Sequence, residues 1–590
     1  MRSPCPILLA ISAILLAAAS ASAGVRDPEH LSLRELVMGL QSSDYRTSEE
    51  AIEALRILGP KAGKAIPDIV ALLKSNDFNT NKNAADALAE IGPAAIPHLL
   101  TTLEDGDALI REGSARALSG MRGSAKLVAD ALRKRQKDQD SKVRIEAAVA
   151  LLSLGQDDKG TLDIIDAGLK ETLNVALIYR LGACGPSARK AVKGLINVFK
   201  SEDRNLRRAV VEALRRIGPG ADEAVPVLIE ALGDYDKLLR SAAVSALGSI
   251  GTGGRPAIPA IIKRLDDTDE LVRWSAVGAL EQLHAETPDA IDALLRAVKD
   301  KDPRVRHSAL LPFSKPEHRT KLPPKLLLEA CADSDPAVRA QAIRMLEVLE
   351  SIPKDAKALV RNACTDDHHE VRISAFFALP KAAAGDADRI VLLLKGTQDP
   401  HPTVASTACA ALGNIKPANK EAIEILVKNL THERGVQRVA AAMALMTLGE
   451  QREQAMRVIK DGLRDTDRTV RSHALSNLRW LHKEGNQARK AKEAKDTVRK
   501  MLKDPDRSVR VSAAATLLLF DEAREEALPV FLDALRSRDF GVRLTALLAC
   551  SELGPHAKDA VPLLSDLLQS PDSILRNMSA SALEAIHAKK

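Results

Sequence analysis

The chain has 590 residues, 45% apolar and 28% charged, which excludes disorder over most of its length. Gly (32), Pro (29) and Cys (6) are too few for a collagen-like or disulfide-built framework, and a net charge of +6 is too small at this size to mark a nucleic-acid binder. Only 2% of residues are aromatic, so Ala, Leu, Val and Ile must fill the core, which favours many thin, closely packed helices.

The amino terminus reads MRSPCPILLAISAILLAAASASAG: Arg2, an apolar run from Ile7 to Ala19, then Ala21-Ser22-Ala23 before Gly24. That layout predicts a secretory signal peptide over 1–23, cleaved to leave 24–590. The run falls short of the roughly 20 residues of a spanning helix, and no other long apolar run follows. The expected location is extracytoplasmic, periplasmic or secreted, with no membrane span after cleavage.

From there one motif recurs: an acidic turn, then V-R-x-x-A-x-x-A-L-x-x-L/I-G. With its Arg as position zero, the register falls at Arg207, Arg240, Arg273, Arg306, Arg339, Arg372, Ala405, Arg438 and Arg471, each step 33 residues. After a six-residue insertion it resumes at Arg510, Arg543 and Arg576. Upstream it falls at Ser48, Asn81, Arg111, Arg144 and, less clearly, Glu171, making 17 registers. A fixed period of this length is the mark of a stacked repeat architecture.

Each unit predicts two helices. In the Arg207 unit, Val210, Ala213, Leu214 and Ile217 trace one face of a first helix that Gly218-Pro219-Gly220 ends. Val225, Leu228, Ile229 and Leu232 do the same in a second helix, with Pro226 in its first turn. Three residues after the register, 13 of the 17 positions are Ala, which lets helices approach to the low end of about 8–10 Å. Units this thin hide their apolar faces only by stacking, which at about 9 Å each gives a contour of roughly 150 Å. Polar half-repeats are expected to cap the ends, at about 30–44, opened by the capping-box pair Ser32 and Glu35, and at 573–590.

Strings such as DTDELVRWSAVGAL (267–280), DSDPAVRAQAIRML (333–346) and DTDRTVRSHALSNL (465–478) resemble the HEAT-like repeats of the phycobilisome-lyase type, armadillo/HEAT relatives. The resemblance covers residues 30–590. It implies an all-α fold, a right-handed α-solenoid of about 17 HEAT-like two-helix repeats, curved so that second helices line the concave face. It implies little about activity.

The acidic turns place Asp six and four residues before the register. A DxD run suggests calcium, but the Gly and distal Glu of an EF-hand loop are missing. The structural reading assigns Asp236, Asp269, Asp302, Asp335 and Asp467 to helix N-caps and to a ladder. Their partners are Arg207, Arg240, Arg273, Arg306, Arg339, Arg372, Arg438 and Arg471, each pairing with an acidic turn of its own or the adjacent unit. Arg suits a partly buried, bidentate role better than Lys.

Cys184, Cys331, Cys364, Cys409 and Cys550 follow no zinc spacing and read as small buried apolar residues. His368-His369-Glu370 and His432-Glu433 invite comparison with deoxyhypusine hydroxylase, whose paired His-Glu motifs hold iron, but here the two motifs are out of register. Trp274 and Trp480 invite comparison with HEAT-like DNA glycosylases. However, the expected exposed positions Glu230, Lys263, Arg296, Glu329, Asn362, Lys395, Lys428 and Asp461 alternate in sign and cannot follow a phosphate backbone. No cofactor, metal, catalytic residue, nucleic acid or small-molecule substrate is expected.

Two departures from the period stand out. Pro312 and Pro316 interrupt the first helix of the Arg306 unit and predict a bend. Residues 482–500 carry the insertion and are locally basic: Arg489, Lys490, Lys492, Lys495, Arg499 and Lys500 read as a lengthened, solvated second helix or as a docking patch for an acidic partner. The expected function is an exported scaffold that binds unidentified protein partners through its concave surface without catalysis. The alternative is an enzyme or lyase-like subunit, metal-dependent or chromophore-handling, on the same repeats.

Overall fold

The computed structural model describes residues 31–171, 175–315, 318–349, 352–383, 388–415, 418–483 and 488–588. The expected signal segment 1–23 lies outside them. Every regular element among the described residues is helical.

The two-helix unit follows from its residues. In the Arg207 unit the first helix, Arg204–Ile217, buries Leu206, Val210, Ala213, Leu214 and Ile217. Asp203 caps it through the backbone N–H groups of Asn205 and Leu206. Gly218 ends it at φ 61°, where a Cβ would be strained. A short 3₁₀ turn, Asp222–Ala224, leads into the second helix, Val225–Ala231, with Pro226 where its missing N–H costs little. At the amino-terminal end, Ser32 and Glu35 form the reciprocal cap of helix Leu33–Gly39, at 3.2 and 2.7 Å. The last helix is Ser573–His587.

Two irregular units resolve differently from expectation or as expected. Glu171 ends the preceding helix, Lys159–Glu171, and the first helix of its unit is Val175–Ala183. Counted back from Arg207, its register falls at position 174, so the step after it is the regular 33 residues and only the step from Arg144, at 30, is short. Pro312 shortens the first helix of the Arg306 unit to Pro303–Leu310, followed by the 3₁₀ segment Leu311–Ser314.

The direction of curvature corrects the expectation of second helices on the concave face. Eight residues after the register, Gly182, Gly248 and Gly413 face the next unit's first helix. A Cβ at Gly248 would lie 2.9 Å from Cα of Ala279, and one at Gly413 2.7 Å from Cα of Ala444. Neighbouring first helices thus touch backbone to backbone, whereas neighbouring second helices meet at only a few points. A stack held closer along one edge bends toward that edge, so the first helices line the inside and the second helices the outside. Side chains confirm it: Arg479 crosses the intervening unit to reach Glu552, two units on, at 3.2 Å. Only the inner side of a curve lets such distant units touch. The small residues that permit close packing therefore also set which face is concave.

Candidate functional site: the first-helix inner face

The register arginines share one geometry. Nη1 of Arg240, Arg273, Arg306, Arg339 and Arg372 donates to the main-chain carbonyl six residues back, at 2.8–2.9 Å. The other nitrogens fork onto the carboxylate 27 residues ahead, in the next unit's turn: Asp267, Asp300, Asp333, Asp366 and Asp399, at 2.7–3.0 Å. Arg111 grips Asp138 in the same way, and Arg207 and Arg438 reach Asp234 and Asp465 with single bonds. Arg471 spans the insertion to Asp504, 33 residues ahead, at 2.7 and 2.8 Å. Burial opposes charge on Asp333, yet the Arg306 fork holds its pKa below the ordinary carboxylate range.

The partner of each arginine is thus the Asp six residues before the next register, not the one four before. Asp236, Asp269, Asp302, Asp335 and Asp467 instead accept backbone N–H groups at helix starts, at 2.7–3.0 Å. Some add a side contact, as Asp236 does with Arg208 and Asp269 with Lys237. Each DxD pair therefore divides its work: the first Asp ties units together and the second starts a helix.

Residues +1, +5, +8 and +9 from the register form the inner face of each first helix, opposite the buried stripe at +3, +6, +7 and +10. At the edge of that face Glu146, two residues after Arg144, lies between Arg116 (3.0 Å) and Arg180 (2.9 Å), linking three units. Burial pushes its pKa up, but the two guanidinium groups pull it below the ordinary value. Farther along, the same face presents Tyr179 and Trp274, 47% and 45% exposed. Trp274 Nε1 donates to Ser308 Oγ at 2.9 Å, which fixes the ring. Arg344 follows at +5, its Nε buried without a hydrogen-bond partner.

The inner face of the first two units is occupied by the other end of the chain. Glu53, in helix Tyr45–Leu58, accepts from Arg507 Nη2 (2.6 Å), Ser537 Oγ (2.7 Å) and the Arg538 backbone N–H (3.1 Å). Its own neighbour Arg56 binds it at 2.8 Å and continues to Asp533 at 2.7 and 3.1 Å. Arg538 lies among Glu49 (3.0 Å), Glu90 (3.1 Å) and Asp86 (3.8 Å). Burial works against charge on Glu53, but Arg56 and Arg507 outweigh it and hold its pKa at about 2. A second crossing follows, where Arg576 Nη1 donates to the Arg216 carbonyl at 3.3 Å. A Cβ at Gly185 would collide with the backbone carbonyl of Gln569. The coil is closed on itself.

Reading the period alone missed Glu53, Arg507, Ser537 and Arg538. A signal was present: Arg510 and Arg543 are followed, 27 residues on, by Ser537 and Ser570 instead of Asp. Those two turns are the ones that dock onto the first half of the chain. Arg144 is followed at that interval by Glu171, in the irregular unit, again not an Asp.

The remaining candidates are placed plainly. Cys184, Cys331, Cys364, Cys409 and Cys550 are buried and unbridged, and burial pushes the thiols of Cys331, Cys364, Cys409 and Cys550 up to about 12. His369 stacks on His401 at 4.1 Å, while His432 Nδ1 accepts the Arg434 backbone N–H at 3.1 Å. No His, Cys, Asp and Glu cluster that could hold a metal occurs among the described residues. Trp480 packs against the core. The basic stretch forms two short helices, Ala488–Lys492 and Lys495–Lys500. Lys495 and Arg499 are engaged by Glu522 and Glu526 of the next unit, which leaves less free charge than the sequence suggests.

The profile of the family described as HEAT repeats matches residues 33–119, 66–153, 192–281, 258–311, 324–394, 390–479 and 496–584. No curated protein matches the chain. Among solved structures, importin beta in an ammonium sulfate condition aligns over 99% of this chain and 98% of its own, at 13% identity and a TM-score of 0.45. Importin beta in a polyethylene glycol condition aligns over 94% and 92%, at 14% identity and a TM-score of 0.46. Yeast importin-beta (Kap95p) aligns over 94% and 83%, at 13% identity and a TM-score of 0.43.

Proposed function

This chain belongs to the HEAT-repeat family, and on that premise we propose that it is an exported scaffold that binds protein partners along the inner face of its first helices and performs no catalysis itself. The observation that carries the reading is that face: a row of side chains repeated unit after unit, with exposed aromatics and an incompletely bonded arginine in its middle span. Tyr179 and Trp274 offer broad amphipathic rings, and Arg344 a planar fork, the side-chain types that anchor protein interfaces. Affinity in such an array is spread over many units, because each contributes a few contacts to a long surface. Export rests on residues 1–23 of the sequence. No described helix is long and apolar enough to cross a membrane.

The test uses the full chain expressed with its amino terminus intact. Amino-terminal sequencing of the extracytoplasmic fraction is expected to read from Gly24, and a start at Met1 there counts against export. Immobilised wild-type chain is expected to retain partners that W274A/R344E loses, with cross-links on first helices. Cross-links confined to second helices would overturn the assignment of the face. Stoichiometric iron or zinc in the purified chain would favour an enzyme.

A further inference from the structure

We propose that the contact between the ends of the coil is a latch: carboxylates on the inner face of the first two units form a guanidinium-binding cage, filled here by Arg507 and Arg538, and its opening frees that face for an arginine-rich segment of a partner. This rests on the scaffold reading and names the partner chemistry and regulation of one part of the same surface.

Three observations support it. The first is charge. The two amino-terminal units bring Glu49, Glu53, Asp86 and Glu90 with Arg56, and the other end brings Arg507 and Arg538 with Asp533. Each guanidinium lies between carboxylates of two helices or against a buried one, and Glu49 accepts two nitrogens of Arg538 at 3.0 and 3.2 Å. Such forks are specific to guanidinium, since an ammonium is a point charge.

The second is the nature of the seal. The apolar cluster of the amino-terminal units runs from Leu36 to Leu154 and contains no residue of the carboxy-terminal units. The contact seen between Glu53 and the Arg507–Arg538 segment is polar and ionic. Polar contacts between chain segments with separate cores are the ones that open and close.

The third is the register. At the position where the ladder holds Asp267, Asp300, Asp333, Asp366, Asp399 and Asp504, this turn has Ser537. Its hydroxyl donates to Glu53 at 2.7 Å, a bond that an aspartate there could not make. The exchange of Asp for Ser gives up a ladder position and makes room for a carboxylate from the far end of the chain. S537D therefore acts at one point: it removes the hydroxyl that donates to Glu53 and sets a negative charge against that carboxylate. That variant opens the ring while leaving the stack intact.

The experiment measures small-angle scattering and oligo-arginine binding on the mature full-length chain. S537D and, independently, R507E/R538E are expected to increase the radius of gyration with unchanged helical circular dichroism. A nona-arginine peptide is expected to bind S537D at least tenfold tighter than wild type, nona-lysine more weakly, and S537D/E49Q/E90Q not at all. An unchanged radius in both opening variants overturns the latch. Equal binding of nona-arginine by wild type, S537D and the cage-less variant overturns the cage. A doubled scattering mass for wild type places the contact between two copies and overturns closure within one chain. None of these readouts depends on capture by Trp274 and Arg344, so failure of the latch and failure of the scaffold reading are separate results.

Discussion

Ala405 and His432 stand 27 residues apart, the interval that separates every arginine from its aspartate in the adjoining rungs, and between them both partners of the rung are replaced at once. The interruption is repaired locally. Arg434, at the cap position of helix Gly435–Leu448, sends Nη1 to the Asp399 carbonyl at 3.1 Å. That is the carbonyl six residues before Ala405, the one a register arginine would take. Losing both partners leaves no buried unpaired charge, whereas losing either alone would.

Arg434→Ala removes the substitute donor from a site that has no ladder pair. A hydrogen bond from a charged donor contributes about 1.5–3 kcal/mol, less where it is partly solvated, so a loss of about 1–2 kcal/mol is expected. Hydrogen exchange should show it as faster opening of the units around 405 and 438, with units around 240 unaffected, because stability in such an array is local. Uniformly faster exchange would mean that the coil behaves as one cooperative body.

The ladder should be steeply graded by burial. The Arg273 side chain is 4% exposed and that of Arg438 31%. Arg273→Ala strands Asp300 and two carbonyls, a loss of about 3 kcal/mol, while Arg438→Ala is expected to cost about 1 kcal/mol or less. Adding Asp300→Ala to Arg273→Ala should recover part of the loss, since the stranded carboxylate is then gone. Denaturant unfolding of the four proteins gives the coupling, and its absence would mean that the pair contributes nothing beyond its two separate capping roles.

The repeat was legible because its causes are local. Ala at +3, Gly at the helix ends and Asp at the caps act within one unit or on the next, and a period of 33 repeats the message many times. The concave face was misread because it follows from a difference: Gly248 against Ala279, and Gly413 against Ala444, bring first helices closer than second helices. Either helix alone looks equally amphipathic in sequence. The closure was missed for another reason. Glu53 and Arg507 are 454 residues apart, and no periodic pattern couples them. Only the serine at 537, out of keeping with the aspartates before it, marks the turn as different.

Helix caps in the middle of the chain leave room for gain. His368 and His401 occupy the cap position of helices His369–Ala382 and Pro402–Gly413, and neither side chain accepts a cap hydrogen bond. Burial, helped by neighbouring His369, lowers the His401 pKa, so this ring resists the proton that would set a charge against the helix amino terminus. His401→Asp installs the residue type that caps helix Pro336–Val348 at Asp335 and is expected to add about 0.5–1 kcal/mol. Melting should shift upward at pH 7. A downward shift would show that the His369–His401 stack, at 4.1 Å, outweighs a cap.

Glu347 gives the fold a pH dependence opposite to that of Glu53. Burial raises its pKa from 4.5 to about 7, only partly offset by Lys381. The Lys381 ammonium is taken up by the main-chain carbonyls of Glu347 and Leu349, which draws it to the backbone and leaves only a partial offset at the carboxylate. A raised carboxylate pKa means that folding favours the protonated form. Below pH 4.5 both states are protonated and the group is neutral to stability. Between pH 4.5 and about 7 the folded chain loses ground as the unfolded one ionises, and above about 7 the loss is complete. Glu347→Gln removes that charge while keeping the shape. It is expected to match wild type near pH 4 and to exceed it by roughly 1–2 kcal/mol at pH 8, after discounting for partial solvent access. Denaturant melts of both proteins across this range check the sign. A variant that loses stability at pH 8 would mean that the ionised carboxylate is held by a favourable contact on the inner face.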